Sequence, residues 1–172
     1  MPKIVTARRR EDVREQARRY IKSRVMLPTI PLAMVTLLIS LGDMAWQWFQ
    51  NLYTAEVFSA SLVLFAVGAG WGWAHARYER YLMIVHPTYF ARKHKVLEAA
   101  KEYKRPRREE AEGAPIHAGR RWVPLAYGVG VIAQLGLTFY YAGQAGVYLA
   151  FFLPWAGYFT AKSACLRDVL TA

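Results

Sequence analysis

The stretch 62–82, LVLFAVGAGWGWAHARYERYL, changes from apolar to basic within what we predict to be one helix. Residues 62–73 carry no charge, whereas Arg77, Glu79 and Arg80 follow closely. A helix divided in this way has one end in hydrocarbon and the other at a charged aqueous interface. We interpret it as the second membrane span of a small polytopic protein.

The composition of the whole chain supports a membrane protein. Of 172 residues, 55% are hydrophobic, yet the formal net charge is +11 because the charges are clustered between long apolar blocks. A span needs roughly 20 residues to cross a hydrocarbon layer of ~30 Å. Four blocks have about this length: 27–49, 55–76, 122–142 and 144–161. Short connections at 51–54 and 143–146 predict an all-α polytopic protein of four transmembrane helices in two antiparallel hairpins.

The segments outside the predicted spans are basic. We divide the chain into a cytoplasmic N-terminal segment 1–26, a first hairpin 27–76, a cytoplasmic loop 77–121, a second hairpin 122–161 and a cytoplasmic tail 162–172. Residues 7–25 predict a helix with a thin apolar stripe, which either lies on an anionic membrane surface or is a solvated lead-in that fixes topology. Within the middle loop, 89–104 predicts a helix and 105–121 a flexible stretch.

The distribution of cations predicts the orientation. The segments before 27, from 77 to 121 and after 161 hold 9, 12 and 2 Lys or Arg residues, which is all 23 of them. Cytoplasmic loops are enriched in these residues, so both termini and the middle loop are expected in the cytoplasm, with the protein in a bacterial inner membrane. The same bias explains the net charge without nucleic acid, for which the loops carry no binding signature. Anionic lipid or an acidic cytoplasmic protein is the better-matched partner for these segments.

Small residues four apart predict close helix packing in two spans. Gly68 and Gly72 form a GxxxG pair in the second span, and Ala126 and Gly130 form a similar pair in the third. Such pairs let another helix approach closely, and we expect packing within the protein rather than a dimer seam. Pro154 lies inside the fourth span, where it should kink the helix and free a backbone carbonyl that a neighbour must satisfy.

Two polar residues inside the predicted spans are candidates for function. Asp43 is the one acidic residue well inside a span, and a carboxylate in lipid is costly unless it is paired, functional or near the interface. The simplest interpretation is a hydrogen bond to a tryptophan N–H or a hydroxyl group, and the alternative is proton or cation handling. Gln134, near the middle of the third span, predicts an interhelical hydrogen bond.

His75 and Glu79 lie four residues apart, so they share one face at the inner end of the second span. A single histidine can ligate haem or chlorophyll, and a His–Glu pair can begin a metal site. The remaining histidines all fall in the predicted cytoplasmic loop, and no zinc signature is present. We therefore expect an interfacial histidine paired with Glu79 and predict no metal or cofactor, with a pigment at His75 as the weaker alternative.

The sequence contains no catalytic signature. No serine nucleophile motif, phosphate-binding glycine loop or intramembrane carboxylate pair is present, and the single cysteine, Cys165, excludes an internal disulfide. The favoured hypothesis is a non-catalytic integral membrane subunit that scaffolds, anchors or stabilises a larger complex of energy conversion or envelope assembly. The alternatives are a small oligomeric transporter or channel that uses Asp43 and Gln134, and a pigment- or cofactor-binding protein that uses His75.

Overall fold

In the computed structural model, which describes residues 2–101 and 122–171, all regular secondary structure is helical. The helices are α1 (Pro2–Tyr20), a π-helical turn (Ile21–Met26), α2 (Leu27–Phe49), α3 (Ala55–Val85), α4 (Pro87–Lys101), α5 (Val123–Ala145) and α6 (Val147–Thr171). The prediction of an all-α protein is therefore confirmed for the described residues. The flexible stretch predicted at 105–121 lies outside them.

Three helices are long and apolar enough to cross a membrane: Glu11–Phe49, Ala55–Val85 and Val123–Ala145. Their large apolar side chains point outward rather than into a core. Leu38 is 65% exposed on α2 and Ile132 is 70% exposed on α5. Outward-facing apolar surface on this scale is expected of a protein whose solvent is lipid.

The fourth predicted span, 144–161, corresponds to α6, which is not among these three helices. Pro154, Gly157 and Tyr158 dilute its apolar content, and Lys162 follows soon afterwards. Several α6 side chains are fully buried, because α6 packs against α2, α3 and α5.

The main core lies where α6 meets the first turns of α3. Its buried residues are Val57, Ala60, Leu64, Ala145, Leu149, Ala150 and Leu153. Further along, Gly68 contacts the backbone of Pro154 and Gly72 contacts that of Tyr158. The contacts advance in the same direction along both chains, so α3 and α6 run parallel. No Cβ atom would fit at either glycine without a shift of the facing backbone.

The helix predicted at 7–25 is present, as α1 followed by the π-helical turn. The backbone is helical without interruption from α1 through the π-helical turn into α2, so no loop allows α1 to turn independently onto a membrane surface. The apolar stripe is covered by the chain itself, since Ala17 and Ile21 are buried in a cluster with Leu82 and Phe90. These two residues are therefore not available to lipid or to another subunit.

Two predicted boundaries are corrected. The helix expected at 89–104 begins at Pro87, directly after α3 ends before His86, because proline suits a first helical turn. The turn expected at 143–146 contracts to Gly146, since α5 continues to Ala145. Gly146 has φ +82°, a left-handed conformation that glycine adopts without steric cost.

Pro154 does not end α6, which continues to Thr171. Proline lacks the N–H that would bond the carbonyl of Ala150, four residues earlier. The Thr138 hydroxyl on α5 lies 3.1 Å from that carbonyl oxygen and 3.1 Å from the carbonyl oxygen of Gln134 in its own helix, so its one proton is shared between the two acceptors. Thr138 is therefore the neighbour that satisfies the carbonyl freed by Pro154.

Candidate functional site

A largely buried cluster of polar side chains lies towards the basic end of α3. His75 and Glu79 lie on α3, and Tyr158 and Lys162 lie on α6. Each pair is four residues apart and so occupies one helix face. Because the two helices run parallel and touch at Gly72, the faces meet in register. Tyr127 of α5 closes the cluster, its ring stacked on that of His75 with centroids 4.2 Å apart.

We call His75, Glu79, Tyr127, Tyr158 and Lys162 the inner cluster. Their contacts form one connected network. Lys162 Nζ donates to Glu79 Oε1 at 3.0 Å, and His75 Nε2 lies 3.2 Å from the same oxygen. His75 Nδ1 is hydrogen-bonded to the hydroxyl of Tyr158. Because an ionised carboxylate only accepts, we assign the imidazole proton to Nε2, and Nδ1 then accepts from Tyr158.

Lys162 and Glu79 of the inner cluster form a pair of opposite charges. The side chain of Lys162 is 8% exposed and that of Glu79 is 15% exposed, so the pair is largely removed from water. A buried carboxylate and ammonium are tolerated when they pair and when further hydrogen bonds satisfy them. The arrangement joins α3 to α6. One acceptor remains open, because Glu79 Oε2 is buried and receives no hydrogen bond from any described residue.

The network bears on the pigment hypothesis for His75. Both ring nitrogens contact protein groups, Nδ1 the Tyr158 hydroxyl and Nε2 the Glu79 carboxylate. An axial bond to haem or chlorophyll would have to displace one of them. Within the parts of the chain that the structure describes, no group of three or more His, Cys, Asp and Glu residues could hold a metal ion.

Asp43 lies at the opposite end of the molecule, near the turn between α5 and α6. Its Oδ2 atom accepts a hydrogen bond from Gln47 Nε2 at 2.9 Å, so the donor is an amide rather than the expected tryptophan N–H or hydroxyl. Gln47 Nε2 also donates to the carbonyl of Ala145 at 2.8 Å. Asp43 thus orients the side chain that joins α2 to the end of α5. Glu56, at the start of α3, is exposed.

Gln134 does not share a site with Asp43. The two are separated by about 18 Å, taking 1.5 Å per residue along α5 from Gln134 to the turn at Gly146 that adjoins Asp43. Gln134 is 4% exposed, and its Nε2 atom has no acceptor among the described residues. The structure does not place the two polar candidates along one path.

Gln134 lines an apolar groove between α3 and α5 with a volume of about 500 Å³. The groove walls are mostly small or apolar, and its other lining residues are Val67, Gly70, Trp71, Ala126, Val129, Gly130 and Ala133. The Trp71 ring packs on Gly130 so closely that a Cβ there would collide with it. Ala126 and Gly130 therefore face this groove, whereas Gly68 and Gly72 face α6.

Sequence reasoning did not identify Tyr127, Tyr158 and Lys162 as parts of a site. The spacing of Tyr158 and Lys162 matches that of His75 and Glu79, which is a usable signal once α3 and α6 are known to be parallel. Gly157 was also missed, although it contacts the α3 backbone at Phe65 and Ala69. Lysines at the ends of membrane spans are also expected from the bias of basic residues towards the cytoplasmic side, so Lys162 alone did not indicate a site.

No protein family, curated protein or solved structure matches this chain. Its function is therefore inferred from the geometry of these sites.

Proposed function

We propose that the protein is an integral subunit of a larger membrane complex, with a non-catalytic role in holding that complex together. The observation that carries the proposal is the groove between α3 and α5. It is lined by small residues, and it contains the buried amide of Gln134, which has no acceptor among the described residues. A transmembrane helix of another subunit would supply both close packing and a hydrogen-bond acceptor.

The other polar side chains in the apolar helices support this role because they are used within the chain. Glu79 binds Lys162, and Asp43 accepts from Gln47. Transport or catalysis needs polar groups that can exchange their partners for a substrate. The contact of Glu79 instead joins two helices, and the contact of Asp43 joins two turns of one helix. Gln134 Nε2 and Glu79 Oε2 are without hydrogen-bond partners among the described residues, and of the two residues Gln134 lines the groove.

The proposed architecture has four spans, α2, α3, α5 and α6, in two antiparallel hairpins. Although α6 is not among the three described helices that are apolar enough to span by composition, its 25 residues extend about 37 Å, enough to cross a bilayer beside its three neighbours. The cations favour both termini and the middle segment on the cytoplasmic side of a bacterial inner membrane. The basic segments there would attract anionic lipid or an acidic partner.

Labelling of single cysteines tests this topology in a Cys165→Ser background. In intact spheroplasts, a membrane-impermeant maleimide should label Asn51→Cys, which lies between α2 and α3. It should label His86→Cys, which lies between α3 and α4, only after permeabilisation. The reverse pattern, or full extraction of the protein without detergent, would disprove the arrangement.

Affinity purification in mild detergent tests the subunit role. The wild-type protein should recover at least one other integral membrane protein in a fixed ratio. Ala133→Leu fills the groove and should reduce that recovery about tenfold, because overpacking an interface commonly costs 1–3 kcal/mol and 1.4 kcal/mol is about tenfold.

Gly136→Leu is the matched control for the groove. It lies on the same helix, is exposed and has open space around it, so it should leave the recovery unchanged. Recovery of the wild type as a free monomer would contradict the proposal. Equal losses from both leucine variants would contradict the assignment to the groove.

A further inference from the structure

A second cavity lies where α1 and its π-helical turn meet α3, α4 and α5. Its volume is about 260 Å³, and its walls combine tyrosine rings with charged groups. The residues used below are Tyr20, Tyr78, Glu79, Tyr89, Lys93 and Tyr127. The inner cluster borders it through His75 and Glu79. The groove that contains Gln134 is separate, with no lining residue in common.

Glu79, which lines one wall of the cavity, has an unsatisfied acceptor atom. Glu79 Oε1 is bound by Lys162 and approached by His75, but Oε2 is buried without a hydrogen bond from any described residue. Buried carboxylate oxygens normally find a donor in protein, water or ligand. An ammonium group supplies that donor together with a compensating charge.

Another wall presents a cation. Lys93 Nζ lies 4.6 Å from the centroid of the Tyr89 ring, and no described carboxylate lies within ion-pair distance of it. The side chain is exposed, so its ammonium is accessible to an anionic group. Among the described residues, the cavity is thus lined by one carboxylate with an open acceptor and by one lysine without an anionic partner.

We propose that this cavity binds a small zwitterion that carries a primary ammonium and a phosphate, as in the phosphoethanolamine headgroup of a lipid or free O-phosphoethanolamine. The ammonium bonds Glu79 Oε2, the phosphate bonds Lys93, and the tyrosine rings flank the short alkyl chain between them. The size fits, because a cavity slightly below the usual range of ligand pockets admits a molecule of about ten heavy atoms. The choice of phosphate rests on the proposed membrane placement, since the cavity lies at the basic end of α3.

Binding of phosphatidylethanolamine and phosphatidylcholine to the full-length protein in detergent micelles tests this assignment by native mass spectrometry. The two headgroups differ in that trimethylammonium has no N–H to donate to Glu79. We expect phosphatidylethanolamine to bind at least about tenfold more tightly, the factor expected for one charge-assisted hydrogen bond. Equal affinities would overturn the assignment, because the ammonium N–H would then contribute nothing, and so would the failure of both lipids and of free O-phosphoethanolamine to be retained.

Two charge-neutralising variants on α4 make the test specific. Lys93→Gln removes the proposed phosphate contact and should weaken phosphatidylethanolamine binding about tenfold. Arg92→Gln removes the same charge from the next residue, which does not line the cavity, and should change binding less than twofold. Equal effects of the two variants would show that the lipid is attracted by the basic surface in general and is not bound by this cavity.

The role of Glu79 is tested by Glu79→Gln, which should abolish the preference for phosphatidylethanolamine over phosphatidylcholine. Because this change also removes the partner of Lys162, Lys93→Gln serves as the test if the variant does not fold. Competition by free O-phosphoethanolamine distinguishes the two sources. Displacement of the lipid supports a site for the headgroup alone, and no displacement supports a site for the intact lipid. Loss of the headgroup preference would leave co-purification of partner subunits unaffected, so the two proposals fail separately.

Discussion

Replacing Thr138 by valine tests whether one hydroxyl group sustains the proline-containing helix α6. The Thr138 hydroxyl shares its proton between the carbonyl oxygens of Ala150 and Gln134, each at 3.1 Å, and Ala150 is fully buried. Pro154 has no N–H to bond that carbonyl. Thr138→Val keeps the shape of the side chain but leaves the buried acceptor without a donor.

The expected cost is intermediate between two known limits. An unsatisfied buried acceptor costs about 1–3 kcal/mol, whereas hydrogen bonds between membrane helices average about 0.6 kcal/mol with a maximum near 1.7. We expect Thr138→Val to lower the free energy of unfolding by about 1–1.5 kcal/mol. Thr138→Ser retains the hydroxyl and should lose less. Reversible unfolding in mixed micelles of dodecylmaltoside and sodium dodecyl sulfate measures these values.

The decisive comparison repeats Thr138→Val in a Pro154→Ala background. Alanine restores the backbone N–H, so the carbonyl of Ala150 regains its helical donor and no longer depends on Thr138. The cost of Thr138→Val should then fall below about 0.5 kcal/mol, a coupling that a double-mutant cycle resolves. Equal costs in both backgrounds would refute the reasoning, because the hydroxyl would then act independently of the proline.

Three further predictions concern the free energy of unfolding in the same assay. Gly68→Ala should cost about 2–3 kcal/mol, because its Cβ collides with the backbone of the facing helix. Gly136→Ala, which has open space, should stabilise the protein by up to about 1 kcal/mol, and equal effects at both glycines would contradict the packing described. Lys162→Met should cost about 3 kcal/mol by leaving Glu79 buried and unpaired, and adding Glu79→Gln should recover part of that loss. Failure of the second change to recover any stability would show that the charge is not what the lysine compensates. Gly146→Ala should cost about 1–2 kcal/mol, because a Cβ at φ +82° is strained and would crowd a neighbouring amide, and a neutral result would show that the turn adapts.

Some structural features followed directly from local sequence signals. The break between α3 and α4 occurs at His86-Pro87, as proline predicts, and the carbonyl freed by Pro154 has the partner that the helix requires. The helix content follows from long apolar blocks and short turns. The start of α4 and the extent of the Gly146 turn were less accurate, because helix ends depend on caps that several adjacent residues can provide.

The N-terminal stripe shows where local signals become ambiguous. Ala17 and Ile21 have helical spacing whether they face a membrane, a partner or the same chain. The choice depended on Leu82 and Phe90, two residues distant in sequence that cover the stripe in the fold. No window around residues 7–25 contains that information.

Helix content and candidate membrane spans could be predicted from the amino-acid sequence, because hydropathy is additive along a chain and does not depend on which segments become neighbours in the fold. The side chains too polar to lie in lipid without a partner, including Asp43, His75 and Glu79, could be predicted in the same way. The identity of their partners depends on the packing of the helices. The contact of Gly72 with the backbone at Tyr158 fixes the register of two parallel helices, and that register brings Lys162 to Glu79. Register is a relation between two segments, so neither segment specifies it alone.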